Sequence, residues 1–163
     1  MAKIGPERPG SARAAFTSVD ASLRNGATGR AFATLVNVGY QPMSLVRLAR
    51  FIAAEPDFDT RWRLVVEFLK EYQREPAEMR QELLAEEPGP TGDERWDVLF
   101  AGLAEHLAMR DGKDPPRWSA SRGLRRFWFP FDTPGARAQA LVHAPAAFRR
   151  RGVFVADYEI DAA

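Results

Sequence analysis

The chain contains no cysteine, which removes disulfides, thiolate nucleophiles and cysteine-ligated zinc together. Histidine is scarce as well, with two in 163 residues. His106 follows Glu105 directly, and helix neighbours point about 100° apart. No second ligand stands three or four residues on, so HExxH-type zinc binding is excluded. His143 falls at the end of a short predicted helix, where the helix dipole favours a protonated imidazole. Neither GxxxxGK[ST], GxGxxG nor GxSxG occurs, which leaves no phosphate loop, dinucleotide turn or nucleophile elbow. No run approaches the length of a membrane-spanning helix, and the opening MAKIGPERPGSARAAF lacks the apolar stretch of a signal peptide. These absences predict a cytoplasmic protein with no cofactor, no metal and no membrane partner. An enzyme would have to assemble its site from scattered groups such as Glu105, His106 or His143.

What is present is an ordinary globular composition, 45% hydrophobic and 28% charged. At this length it suits one domain with a real core. The net charge of +1 conceals an uneven distribution. Residues 1 to 50 carry a net +5, residues 51 to 105 a net −8, and residues 106 to 163 a net +4. Basic ends around an acidic middle suit a chain with two differently charged faces. The ends are too weakly basic to announce nucleic-acid binding by themselves.

Residues 1 to 12 offer little to bury and predict a disordered N-terminus. Weak helical stretches at 14–23 and 30–38 are split by Asn25-Gly26 and Thr28-Gly29. Residues 13 to 163 read as a single all-α domain, a multi-helix bundle whose core is 44–111, with a Pro-, aromatic- and Arg-rich region of short helices at 112–163. Ser44 caps a helix to about Glu55, with Leu45, Leu48, Ala49 and Ile52 on one face. Pro56 ends it. Asp59 is the expected cap of the next helix, which buries Trp62, Val65, Val66, Leu69 and Tyr72. Pro76 opens a third helix to about Glu87, with Met79 and Leu83 inward.

Asp93 starts the helix expected to be longest and most central, to about Arg110. Trp96, Leu99, Phe100, Leu103 and Leu107 recur along it at helical spacing, and Gly112 stops it. Asp93 and Asp97 are four apart, yet both lie where carboxylates steady a helix start. Thr133-Pro134 opens a further short helix to about His143, and Pro145 another, with Phe148 inward, ending at Arg149-Arg150-Arg151-Gly152. Val153-Phe154-Val155 alone resembles a strand, and the tail is expected to be short and irregular.

Three function classes remain. Trp118, Arg125, Arg126, Trp128, Phe131, Arg149, Arg150 and Arg151 combine the residue types that anchor protein interfaces. The first reading is therefore a non-enzymatic protein-interaction module with these residues as its partner-binding surface. The same mixture allows phosphate contact and base stacking, so a DNA-binding regulator is the second. A helix-turn-helix at 44–72 is weakened by Glu55, Pro56, Asp57 and Asp59 in its turn, which repel phosphate. An enzyme of unknown reaction is the third. The acidic face at Glu78, Glu82 and Glu86 is a solvated face, or the surface that masks a basic partner.

The segments FLKEYQREP, LLAEEP, RWDVLFAGLAEHLA, PPRW, RFWFP and TPGARAQALVHAPAAFRRRGVFV resemble an actinobacterial family of regulator-like and antitoxin-like proteins. The resemblance runs from Leu64 onward, about 100 residues. In that family the block often follows an N-terminal helix-turn-helix, and some members are paired with a nucleotidyltransferase-like toxin. The likeness implies binding rather than catalysis, with a toxin as the protein partner. This chain departs from the regulator-like members in lacking a clear DNA-binding motif ahead of the block.

Overall fold

Capping groups and prolines divide the chain. A computed structural model of the protein describes residues 40–161; the expectations for residues 1–12, 14–23 and 30–38 lie outside them. Helix α1 (Leu45–Ala54) begins at Ser44, whose hydroxyl accepts the Arg47 N–H. Helix α2 (Phe58–Arg74) is capped by Asp57, not by the expected Asp59. The Asp57 carboxylate accepts the Thr60 N–H at 2.8 Å, while Asp59 sits within the first turn. Pro56 ends α1 so promptly that the turn is shorter than the residue types suggested. Helix α3 (Ala77–Ala85) follows Pro76 and stops two residues before Glu87.

Helix α4 (Glu94–Arg110) is capped by Asp93 as expected and matches α2 in length at 17 residues. It is followed by a 3-10 turn (Arg117–Ser121), then α5 (Pro134–His143), α6 (Ala146–Arg149) and α7 (Tyr158–Asp161). The last was not expected. Among the described residues the protein is all-α, with no strand longer than one bridge. None of their helices is long and apolar enough to cross a membrane.

The core gathers on α4. Leu45, Leu48 and Ile52 of α1 and Val65, Phe68 and Leu69 of α2 are fully buried; Phe68 joins the core without having been expected there, and Val66 is half-buried against it. The α4 stripe of Trp96, Leu99, Phe100, Leu103 and Leu107 is inside. So are Val98, Ala101, Gly102, Ala104 and Ala108, so the helix is covered on nearly every side. Small residues let neighbours close in on the faces that periodicity assigned to solvent. At Gly102 the fit is tightest: an added Cβ would stand 2.6 Å from Cδ1 of the buried Phe148 ring on α6.

Beyond α6 the chain turns at Gly152, with φ of 77°, a left-handed angle that glycine adopts without steric penalty. Val153 then pairs in parallel with Trp128. The Trp128 N–H donates to the Gly152 carbonyl at 2.8 Å, and the Phe154 N–H to the Trp128 carbonyl at 2.8 Å. The strand-like Val153–Val155 thereby finds a partner in the aromatic block. Side chains alternate across this short ribbon. Trp128, Val153 and Val155 face the main core; Phe129 and Phe154 face Ala140 and Ala144 near α5.

Gly102→Ala separates packing from helix propensity. Propensity alone favours alanine by about 0.5–1 kcal/mol; overpacking against Phe148 opposes it with about 1–3 kcal/mol. The expected result is a net loss of stability in urea unfolding, partly recovered when Phe148→Leu is added. A stabilised single variant would contradict the close α4–α6 approach.

Candidate partner-binding face

The three arginines at the end of α6 were expected to lie together on the surface, and the structure separates them. Arg149 is exposed. Arg150 is half out and reaches back to Glu105 of α4. Arg151 is only 3% exposed, which removes it from any partner surface. Its position three residues after Phe148 carries it onto the buried side of the turn, and that spacing was the available signal. Arg151 Nη1 lies 2.6 Å from Glu105 Oε2 and donates to the Ala147 carbonyl at 2.7 Å. Its Nη2 donates to the Ser119 carbonyl at 2.5 Å, while Nε has no partner. Burial pushes the guanidinium below its ordinary value. Glu105, 2% exposed, is thus a charged strut between α4 and α6.

Three of the expected aromatics also serve the fold. Trp118 is half-buried, donates its indole N–H to the Leu84 carbonyl at 3.2 Å, and lies under the Arg122 guanidinium. Phe131 meets Trp62 edge to face at 4.9 Å. Trp128 contacts Trp96 at 5.6 Å, and Arg95 stands 5.6 Å above it. All three pack against the core rather than standing free of it.

Arg125 and Arg126 do stand free. Both are exposed, and neither has an acidic side chain within 4.0 Å among the described residues. Between them and Trp128 lies Phe127, 72% exposed, its ring held edge-on against Phe154 at 5.0 Å. Phe127 was part of the aromatic block but not of the expected site. Alternation was the signal: in an extended segment it points away from Trp128, onto the side of Phe129. Phe129 is roofed by Arg137, 4.6 Å from its ring, whereas Phe127 is left open. Beside this lip is a hollow of about 350 Å³, with Leu124 and Trp128 in its floor and Glu94 and Arg95 at its edge.

The remaining candidates engage different partners. His106 lies 3.3 Å from Asp161 and against the Phe148 ring, and His143 is exposed. Glu78, Glu82 and Glu86 are exposed on and just after α3. The α1–α2 turn carries Glu55 and Asp57, with Asp59 in the first turn of α2. Comparison of the chain with protein-family models, with curated proteins and with solved structures returns no match.

The strut predicts strong coupling. Arg151→Met leaves the Glu105 carboxylate buried with Arg150 alone and should cost about 3–5 kcal/mol. Adding Glu105→Leu should return at least about 1 kcal/mol of that loss, because removing both charges removes the uncompensated one. Denaturant midpoints of the two single variants and the double measure it. Additive losses would mean that the two side chains do not interact.

Proposed function

We propose that the protein is a non-catalytic interaction module whose docking face is the lip Arg125-Arg126-Phe127 together with the adjoining hollow. Phe127 carries the reading. A phenyl ring left 72% exposed between free guanidinium groups and an apolar-floored recess is poorly explained by fold stability. It matches the composition of interface hot spots, where aromatics and arginine dominate. The complementary partner surface is an apolar notch ringed by carboxylates. Arg149 extends the basic character only if the partner reaches the end of α6; Arg150 is partly engaged by Glu105.

The resemblance from Leu64 onward to regulator-like and antitoxin-like proteins favours, as the specific form of this proposal, the neutralising member of a cytoplasmic toxin–antitoxin pair. Its partner would then be a protein whose active surface accepts this basic, aromatic lip.

Phe127→Ser and Arg126→Glu, both at exposed positions, should leave the fold intact. Each should weaken a protein partner captured from the native host by about tenfold or more. In co-expression, the wild-type chain should relieve the growth arrest caused by that partner, and Phe127→Ser should not. Undiminished capture by both variants would sink the assignment of this face. Recovery of nucleic acid instead, with affinity falling steeply as salt rises, would favour a DNA-binding regulator.

A further inference from the structure

A second concavity lies between α3, the end of α4 and the segment through Pro115-Pro116. It measures about 290 Å³, near the lower limit for a small-molecule site. We propose that it binds a small organic anion with a flat apolar body, of the class of aromatic or alicyclic carboxylates. This site is independent of the proposed docking lip.

The apolar part of the cavity comes from Tyr72, Leu84, Pro115 and Pro116, and from alanines where larger side chains would fill the space. Ala77 and Ala85 on α3 and Ala108 on α4 keep it open. Its walls are fixed before any ligand arrives. Arg80 ties the α2–α3 corner by donating from Nε to the Glu75 carbonyl and from Nη2 to the Gln73 carbonyl, each at 2.8 Å. The same guanidinium reaches Asp111 at the end of α4 at 3.3 Å. On the far side the Trp118 indole holds the Leu84 carbonyl. Preorganised walls reduce the ordering that binding would otherwise require.

Charge decides the ligand class. The Asp111 carboxylate within the cavity is already matched: Tyr72 donates its hydroxyl to it at 2.8 Å, and Arg80 pairs with it. Lys113 and Arg117 also line the cavity, and neither has an acidic side chain within 4.0 Å among the described residues. Against these two cations stands only Asp114, likewise unpaired. The adjoining trough along α3 is bordered by Glu78 and Glu82, with Lys113 between it and the cavity. An anionic head is therefore drawn to Lys113 and Arg117, on the side away from Glu78 and Glu82, while its apolar body covers the alanines and prolines. A bare phosphate would use the cations and leave the apolar lining unoccupied.

The test is a titration of the ¹⁵N-labelled full chain with naphthalene-2-carboxylate, with uncharged 2-naphthamide as the control. Saturable amide shifts are expected around residues 81–85, 108, 111–114 and 117. The amide should bind about fivefold or more weakly, the scale of losing one partly screened ionic contact. Lys113→Glu with Arg117→Glu should weaken the acid similarly and leave the amide unchanged. Asp114→Asn should tighten the acid, an effect that a merely structural role would not produce. Ala85→Phe, placed at an exposed position, should fill the cavity and abolish both. Absence of saturable shifts at millimolar acid, equal binding of acid and amide, or shifts that persist in Ala85→Phe would each overturn the proposal.

Discussion

A carboxylate in the middle of a buried helix must be answered, and the answer organises the C-terminal third of this protein. Glu105 lies on α4 among side chains that exclude water. A carboxylate left alone there carries a penalty of several kcal/mol. Arg151 meets it from the end of α6 at 2.6 Å. To do so the arginine must itself be buried, and it in turn recruits the Ala147 and Ser119 carbonyls. One charge thereby fixes three elements: α4, α6 and the 3-10 turn. Such a pair adds little net stability compared with well-packed apolar side chains. Its role is to specify position, because few arrangements satisfy both charges.

The consequences run outward from that pair. With Arg151 inside, Gly152 must turn in a left-handed conformation, which aims Val153–Val155 back along the aromatic block. Pairing Trp128 with Val153 then fixes which aromatics face in and which face out. The close packing of Phe148 over Gly102 works in the same direction: it brings α6 near enough to α4 for both arginines to reach Glu105. Phe127 is exposed because the register that buries Trp128 turns it outward, and α5 extends only far enough to roof Phe129. The proposed docking face is thus positioned by interactions that lie well beneath it.

Much of the helical scaffold was legible in the sequence because its causes are local. Ser44, Asp93 and Thr133 are capping residues at the right places, and the spacing of Trp96, Leu99, Phe100, Leu103 and Leu107 marks α4 without outside help. The misreadings have non-local causes. Asp57 and Asp59 are equivalent as residue types, and only the tight turn after Pro56 selects the first. Phe68 and Val66 point about 200° apart and flank opposite edges of the buried stripe of α2, and the packing of neighbouring helices decides which edge is covered more fully. Three successive arginines look alike until Phe148 fixes which side of α6 is buried. The candidate site was legible only in part. Arg125 and Arg126, expected on a partner-binding surface, are exposed, whereas Trp118, Trp128 and Phe131 have tertiary partners as far away as Leu84, Trp96 and Trp62. Phe127 was hidden by its neighbours, since an aromatic run does not reveal its register until a second strand pairs with it.

Charge placement makes the two proposed sites different kinds of surface. The lip joins free arginines to an exposed ring, so the attraction of an acidic partner and the burial of Phe127 act in the same direction. Its flanking charges also keep the isolated ring from forming a broader apolar patch of the kind that drives indiscriminate association. The α3 cavity is the reverse. Its apolar floor is Tyr72, Leu84 and Ala108, all buried, Arg80 and Tyr72 already engage its Asp111 carboxylate, and Glu78 and Glu82 border the adjoining trough. A large acidic surface drawn to the lip would meet Glu78 and Glu82 there, whereas a small anion can settle against Lys113 and Arg117 alone. Separating an exposed basic anchor from a recessed, acid-bordered cavity gives one small helical domain two surfaces that do not compete for the same ligand.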